Sequence, residues 1–172
     1  WSAWPVAGEA PAGVERAGTP EAADFALTLT PEGGALHLVP PIGVLGVGCR
    51  RGTTAERLEE AFSAFCASSG LSPAAVSAAA SIDLKKEEPG LAQFCEAHGW
   101  PITFYSADQL RAVPGQFTPS AFVAGVTGVD NVCERAAAKA SGGALLLPKT
   151  AGGGVTLALA VRPFAPDWRT EQ

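Results

Sequence analysis

A strand that ends in a glycine turn and runs directly into a helix limits the folds open to this chain more than any other stretch. Residues 42–54 read IGVLGVGCRRGTT, in which an apolar run stops at Gly48 and a helical pattern begins at Thr53 or Thr54. Such a turn points backbone N–H groups and the positive end of the helix dipole beyond the strand, which favours anions. Arg50 and Arg51 strengthen that preference, because a guanidinium binds carboxylate or phosphate oxygens in pairs.

This turn fits neither of the common nucleotide-binding fingerprints. A GxGxxG motif needs a glycine at position 51, where Arg51 stands, and a P-loop needs a lysine after Gly52, where Thr53 stands. We therefore predict an anion site for which a nucleotide is not the first choice. The alternative is that the glycines only make a tight turn and that the arginines are solvated.

Further along the chain, apolar strands alternate with amphipathic helices. Helix starts are indicated by capping or N-terminal proline pairs at Thr53 with Glu56, Ser106 with Gln109, Thr118 with Pro119, and Asn131 with Glu134. Strands are predicted over residues 42–47, 78–82, 102–105, 144–147 and 155–161. The fold class is therefore α/β, a three-layer α/β/α domain whose closing hairpin makes the sheet mixed, mostly parallel.

The chain divides into three parts by composition. Residues 1–40 are predicted to be a linker followed by a hairpin of strands 25–29 and 36–39, the tail of a preceding region. Residues 41–162 form the α/β domain, and residues 163–172 form a tail. Because the chain starts at Trp1 and contains no methionine, we expect a piece of a longer polypeptide.

Charge and cysteine usage exclude several classes of protein. The net charge of −5 argues against a nucleic-acid binder, and no apolar run reaches the roughly 20 residues of a membrane span. The four cysteines form no CxxC pair, which excludes the common zinc patterns. Cys66 and Cys95 fall on apolar helix faces and are predicted to be buried thiols in a reduced, cytoplasmic setting.

Several separated motifs together resemble a known family. In chain order they are GVGCRRGT, ASIDLKKEEPGL, FYSADQL, FTPSAFV, GVDNVCERAA and LLLPKTAGGGVTLALA. This order resembles the C-terminal domain of the CbiG family and equally the stand-alone CobE proteins, over about residues 42–162. The resemblance implies cobalamin (vitamin B12) biosynthesis, a branch of porphyrin and corrin biosynthesis. CbiG opens the lactone of cobalt-precorrin-5A and releases acetaldehyde, whereas a CobE-like chain would be a non-catalytic corrinoid-binding or carrier module.

A precorrin is a large ring fringed with carboxylates, so its binder needs scattered cations beside apolar surface. In a layered α/β sheet, ligands collect outside the carboxyl ends of the strands. We expect the cations that follow three predicted strands to converge there. The predicted substrate-binding residues are Gly48, Cys49, Arg50, Arg51, Ser81, Lys85, Lys86, Arg135 and Lys149. The alternative is that Lys85 and Lys86 pair with Glu87 and Glu88 on a solvated face.

Opening a lactone with water needs a base and a group that stabilises the oxyanion. The predicted catalytic residues are Asp83, Glu88 and Glu134, and the turn amides of residues 48–51 with a neighbouring lysine would hold the oxyanion. The alternatives are that Asp83 caps a helix or a turn and that Glu134 serves in helix capping and in an ion pair with Arg135. Cys49 is a weaker candidate for a nucleophile, because no histidine stands near it in the sequence.

No cofactor is expected, because the cobalt would arrive within the substrate. His37 and His98 are poor metal-ligand candidates, and no metal site is predicted. The expected partners are a cobalt-corrinoid intermediate and the N-terminal and central regions of a parent chain, with a homodimer left open. Neither nucleic acid nor a membrane is expected as a partner.

Overall fold

The computed structural model describes residues 1–34, 36–118 and 131–168. The strands are β1 (Phe25–Leu27), β2 (Leu36–Leu38), β3 (Gly43–Cys49), β4 (Val76–Ile82), β5 (Ile102–Tyr105), β6 (Ala144–Gly152) and β7 (Val155–Val161). The helices are α1 (Ala55–Ser69), α2 (Pro89–Ala97), α3 (Ala107–Arg111) and α4 (Val132–Ser141). Short 3-10 turns cover Pro20–Ala22, Pro73–Ala75 and Asp83–Lys85. The helix predicted after Thr118 falls on residues 119–125, outside the described residues.

The main sheet has five strands in the order β5-β4-β3-β7-β6. Strands β3, β4 and β5 are parallel, while β7 runs antiparallel to both β3 and β6. Four of the five strands therefore point in one direction, and β7 alone among them points in the other. This confirms the predicted α/β class and the mixed, mostly parallel sheet.

Helices cover both faces of the sheet, because residues alternate between the faces along each central strand. Leu45 and Val47 of β3 pack in a core that includes Phe62 of α1 and Phe94 of α2. Val44, which directly precedes Leu45, belongs to a second core with residues of β4 and α4. The sheet is therefore the middle layer of a three-layer α/β/α arrangement.

Gly46 allows α4 to lie directly on β3. A Cβ atom at Gly46 would collide with the carbonyl oxygen of Cys133 and touch the Cβ of Ala137. Because glycine has no side chain, the helix can approach the strand at this point. Gly46 thus fixes where the N-terminal turn of α4 meets the sheet.

The hairpin predicted over residues 25–39 is wrong. Strands β1 and β2 pair in parallel, with Phe25 opposite Leu36 and Leu27 opposite Leu38. Leu29 is buried in the main core, and its carbonyl accepts a hydrogen bond from the amide of Ser72. The chain therefore leaves β1 towards the main core before it turns back. Strand β2 can then run in the same direction as β1, as a parallel pair requires.

Both terminal segments make specific contacts, although their sequences predicted a linker and a tail. The carbonyl of Trp1 accepts from the amide of Leu27, and the Trp168 amide donates to the Ala7 carbonyl. The ring of Trp4 packs edge-on against Phe164, with centroids 5.1 Å apart. These contacts bring the two ends of the described chain beside β1.

Local boundaries differ from the predictions in two places. The N-cap of α1 is Thr54, whose hydroxyl accepts from the amide of Arg57, so the cap lies one residue later than Thr53. Strand β6 continues through residues 148–150, which were predicted to connect two strands. Its register with β7 shifts twice, and such irregularities accommodate a proline in an edge strand. The capping box at Ser106 and the N-cap at Asn131 are confirmed.

Candidate functional site

The carboxyl ends of β3 and β4 lie side by side, because these strands are parallel neighbours with Gly46 opposite Ala80. Residues 49–52 continue from β3, and residues 83–88 continue from β4. We call these two segments together the rim. They hold Arg50, Arg51, Lys85 and Lys86, so the structure brings these four predicted substrate-binding cations to one edge of the sheet.

Glu88 joins the two segments of the rim. Its carboxylate accepts a hydrogen bond from the backbone amide of Gly52 at 2.8 Å and another from the Lys85 ammonium at 3.1 Å. The Gly52 hydrogen bond lowers the pKa of Glu88 most, and Lys85 and the charge of Arg51 lower it further. Glu88 is therefore an anion at neutral pH, and it stabilises the turn.

The start of α2 holds Glu88 in this place. A Cβ atom on Gly90 would collide with the carbonyl oxygen of Thr53, so the first turn of α2 packs directly on the start of α1. Pro89 occupies the first helical position, where its missing N–H costs nothing. The sequence EEPG thus places a carboxylate against the glycine turn.

Two amides of the glycine turn have partners within the protein. Gly52 donates to Glu88, and the amide of Arg50 donates to the carbonyl of Gly154 at 3.0 Å. The anion predicted for this turn is thus supplied in part by the protein itself. For an external anion, the rim offers side chains rather than these two amides.

The cations of the rim differ in their pairing. Lys85 forms an ion pair with Glu88, as the alternative prediction stated. Glu88 also accepts from Gly52 and so connects the two segments of the rim. Arg50, Arg51 and Lys86 are exposed, and within the described residues none of them has an ion-pair partner. These three side chains are the ones available to a ligand.

Glu134 lies away from solvent at the N-terminus of α4, with no exposed surface. Its carboxylate accepts from the amide and the hydroxyl of Thr118, both at 2.8 Å, and from the amide of Lys149 at 2.6 Å. Burial raises the pKa of Glu134, but the hydrogen bonds from Lys149 and Thr118 outweigh it and leave the pKa below its ordinary value. Glu134 therefore connects α4, residue 118 and β6.

Arg135 is directed elsewhere. Its guanidinium donates to the carbonyl of Val113 at 3.2 Å and lies over the ring of Phe117. In the described part of the chain, Glu134 finds its partners in Thr118 and Lys149, and the ion pair expected between Glu134 and Arg135 is not formed. The expected pairing is therefore corrected: the two neighbours bind different segments.

Two further predicted substrate-binding residues lie apart from the rim cations. Lys149 is within β6, beyond β7 from the rim, and its charge acts on Cys133 of α4. Ser81 is fully buried and donates to the Val47 carbonyl at 2.6 Å, which ties β4 to β3. The sequence predicted that cations from three strands converge. The cations that follow β3 and β4 lie on the rim, whereas Lys149 of β6 lies apart from them.

The remaining candidates lie on the rim itself or directly beside it. Asp83 is exposed at the first position of the 3-10 turn after β4. Gly48 and Cys49 are the last residues of β3, opposite Thr156 and Val155 of β7. Burial raises the pKa of the Cys49 thiol, and Lys85 opposes that rise only in part. Cys49 is therefore a thiol rather than an activated nucleophile.

Sequence reasoning missed Arg57, and it did not place Arg50 against the β6–β7 turn. The side chain of Arg57 packs against Gly153, and that of Arg50 packs against Gly154. Both glycines have positive φ angles, which glycine adopts without strain. The glycine run from 152 to 154 could have indicated a turn that other side chains approach closely.

His98 belongs to a structural cluster. Its ring stacks on Trp100 with centroids 4.1 Å apart, and its Nε2 atom lies 2.6 Å from the Glu59 carboxylate. Within residues 1–34, 36–118 and 131–168, no three His, Cys, Asp or Glu side chains are grouped as a metal site would require. The helices in those same ranges include none with the length and apolar character needed to cross a membrane.

Comparison with known proteins identifies the family. Residues 43–160 match the model of the family described as cobalamin synthesis G C-terminus, CbiG_C. The chain belongs to this family. The match confirms the resemblance that the sequence motifs indicated. It also confirms that the family is one of cobalamin biosynthesis.

Two curated relatives differ in how much of their length is matched. The cobalt-precorrin-5A hydrolase of Priestia megaterium is 36% identical over 134 residues, which cover 77% of this chain and 35% of that protein. Protein CobE of Sinorhizobium sp is 33% identical over 120 residues, which cover 68% of this chain and 78% of that protein. This chain of the CbiG C-terminal family thus spans about a third of the hydrolase and most of CobE.

The fold agrees with a solved structure of the same family. The crystal structure of CobE, a protein of the cobalamin biosynthetic pathway, superposes with a TM-score of 0.64 at 35% identity. The match covers 72% of this chain and 92% of that one. The likeness supports the α/β arrangement that positions the rim.

Proposed function

We propose that this chain is part of a cobalt-precorrin-5A hydrolase and that its rim binds the carboxylates of the corrinoid substrate. The observation that supports this most is the exposure of Arg50, Arg51 and Lys86, without ion-pair partners among the described residues, at neighbouring strand ends. The protein as a whole carries a net charge of −5, so this local group of cations is not a consequence of composition. Cations at the carboxyl ends of strands suit a polycarboxylate ligand.

The chemistry that this proposal needs is addition of water to the lactone carbonyl. A base removes a proton from the water as its oxygen adds to the lactone carbonyl, and the acyl C–O bond then breaks, which leaves a carboxylate on the macrocycle and a hydroxyl on the two-carbon fragment. Loss of the hydroxyl proton forms the aldehyde C=O while the C–C bond that joins the fragment to the macrocycle breaks, and the macrocycle carbon takes up a proton as acetaldehyde leaves. Asp83 is exposed on the rim and is assigned as the base. Lys86 on the same turn would stabilise the negative charge that develops on the carbonyl oxygen.

Glu88 and Glu134 are assigned as positioning residues in this mechanism. Each accepts hydrogen bonds from backbone amides, and each has a pKa below its ordinary value. A general base works best when its pKa lies near the operating pH, so both carboxylates are weak bases. Their hydrogen bonds instead stabilise the segments that carry the cations.

A second function is a non-catalytic corrinoid-binding or carrier module like CobE. It is favoured by the match to 78% of CobE against 35% of the hydrolase. The engagement of two of the three predicted catalytic carboxylates in structural hydrogen bonds also supports it. In either function the cobalt would arrive inside the ligand, so no metal ligand is expected from the protein.

Acetaldehyde release separates these two functions. The purified chain is mixed with cobalt-precorrin-5A without oxygen, and both acetaldehyde and the corrinoid absorption spectrum are recorded. Release of acetaldehyde that Asp83→Asn abolishes supports the hydrolase assignment. A spectral shift without acetaldehyde supports the binding module, and absence of both contradicts the proposal.

The role of the rim is tested with Arg50→Ala/Arg51→Ala. Loss of two charged contacts, each of about 1.5–3 kcal/mol, should weaken corrinoid binding at least tenfold. The matched control is Arg16→Ala, which removes a cation from the N-terminal segment. Equal affinity of the double variant and the wild-type protein would remove the rim arginines from the site.

A further inference from the structure

A groove of about 360 Å³ lies between α1 and the β6–β7 hairpin. Phe65, Val155 and Leu157 form an apolar floor, and all three belong to the main core. These three side chains are only 2–3% exposed, so the accessible apolar lining consists of the small residues Ala61, Ala64 and Ala151. The groove is therefore an apolar surface of ligand-binding size, since such pockets span roughly 300–1,000 Å³.

Arg57 stands at the hairpin end of this groove. It lines the groove, and its guanidinium packs against Gly153 of the hairpin turn. Arg50, a rim residue, packs against the adjacent Gly154. The turn therefore has one arginine on each side, and it connects the groove to the rim.

Arg57 is available to a ligand carboxylate. Its partner is Glu60, 2.6 Å away, and the two side chains are 47% and 65% exposed. An exposed ion pair is weak and is screened by salt, so a ligand carboxylate can replace Glu60. Glu60 would then compete with the ligand for the guanidinium.

We propose that this groove is a second contact surface for a corrinoid, in which one apolar face of the macrocycle packs on the alanine lining and Arg57 binds a peripheral carboxylate. This inference rests on the proposed function. A corrin has apolar faces and carboxylates around its edge. These features complement an apolar lining with a cation at one end. Because the groove is at the small end of ligand pockets, it takes one side of the ring, and the rest extends over the hairpin towards Arg50.

The test titrates the full chain with cobyrinic acid, a stable cobalt corrin whose peripheral carboxyl groups are free. Arg57→Ala should weaken binding about tenfold, as expected for a charged contact. Ala64→Phe fills the groove and should weaken binding at least as much. Ala67→Phe makes the same change at an exposed position of α1 outside the groove and should bind as the wild-type protein does. Thermal unfolding of each variant checks that the fold is retained.

Two further measurements isolate the carboxylate contact. Glu60→Gln removes the competitor and should tighten binding two- to fivefold, whereas a loss like that of Arg57→Ala would contradict the proposal. The methyl ester of cobyrinic acid lacks free carboxylates, so its binding should be insensitive to Arg57→Ala but still blocked by Ala64→Phe. Equal sensitivity of acid and ester to Arg57→Ala would also contradict it.

The groove and the proposed function can fail separately. If the wild-type protein binds no cobyrinic acid, corrinoid binding itself is refuted, and the groove with it. If the wild-type protein binds and Arg50→Ala/Arg51→Ala weakens binding while Arg57→Ala and Ala64→Phe do not, only the groove is refuted. Weakening by all three variants supports both.

Discussion

Glu88 and Glu134 both accept a hydrogen bond from a backbone amide distant in sequence, and their surroundings differ. Glu88 lies on the rim with the charges of Lys85 and Arg51 beside it. Glu134 is fully buried, and its partners are the backbone and hydroxyl of Thr118 and the backbone of Lys149. Glu88, which is 8% exposed, therefore balances cations at the edge of the protein, whereas Glu134, with no exposed surface, replaces water inside it. The same residue type serves a charged surface in one case and a connection between segments in the other.

Truncation of the buried carboxylate tests this difference most strongly. Glu134→Ala leaves the amides of Thr118 and Lys149 without their acceptor, so the free energy of unfolding should fall by about 3–5 kcal/mol. Urea denaturation followed by circular dichroism measures the loss. Glu87→Ala, at an exposed position of the rim, is the control and should change stability little. A loss below about 1 kcal/mol for Glu134→Ala would show that its hydrogen bonds are dispensable.

Truncation of the rim carboxylate should cost less. In Glu88→Ala, water can reach the amide of Gly52 and the ammonium of Lys85, so the loss should be about 1–2 kcal/mol. The same urea denaturation, run beside Glu134→Ala, gives the ranking. If Glu88→Ala proved as damaging as Glu134→Ala, the distinction between a rim carboxylate and a buried one would be lost.

Acid should weaken both connections. The pKa of each carboxyl is lower in the folded protein than in the unfolded chain, so the unfolded state binds more protons as the pH falls. This stabilisation is present above the unfolded pKa of about 4.3 and is lost as the pH falls through the folded pKa. The effect should be smaller than that of truncation, because a protonated carboxyl keeps one acceptor oxygen. Urea denaturation between pH 7 and pH 3 should show a shallower dependence in Glu134→Gln, and an unchanged slope would contradict the linkage.

Removing the charge of Glu88 should slightly increase the affinity for the ligand, whereas truncation and acid reduce the stability of the protein. Glu88→Gln can still accept from Gly52, but it no longer balances the charges of Lys85 and Arg51. Affinity for cobyrinic acid should rise two- to threefold at low salt, and the gain should shrink at high salt because ions screen exposed charges. Glu87→Gln makes the same charge change beside it and should give a smaller gain. Weaker binding by Glu88→Gln would show that the negative charge of Glu88 is itself needed to order the rim.

Local signals in the sequence predicted most of the main sheet. Apolar runs and capping residues gave β3, β4, β5 and β7, and the N-caps at Ser106 and Asn131 are confirmed. These features depend on neighbours a few residues apart, which a sequence displays directly. The motif order also led to the family that the comparisons identify.

Features that depend on distant residues could not be predicted in the same way. The parallel pairing of β1 and β2 follows from the burial of Leu29 and its bond to Ser72, neither of which a local pattern contains. Glu134 was predicted to bind its neighbour Arg135, yet its partners stand at positions 118 and 149. The anion of the glycine turn likewise comes from Glu88, 36 residues beyond Gly52. In each case the decisive partner is brought near only by the completed sheet.

Strand β7 lies between β3 and β6, although it follows the other four strands of this sheet in sequence. Until it is in place, the apolar strand β3 presents an unpaired side, the kind of edge that other chains can join by strand pairing. Because the chain is synthesised from its N-terminus, β3 keeps this unpaired edge until β7 has left the ribosome. Stable folding of the sheet is therefore expected to wait for β7, so residues 155–161 protect the nascent domain against aggregation.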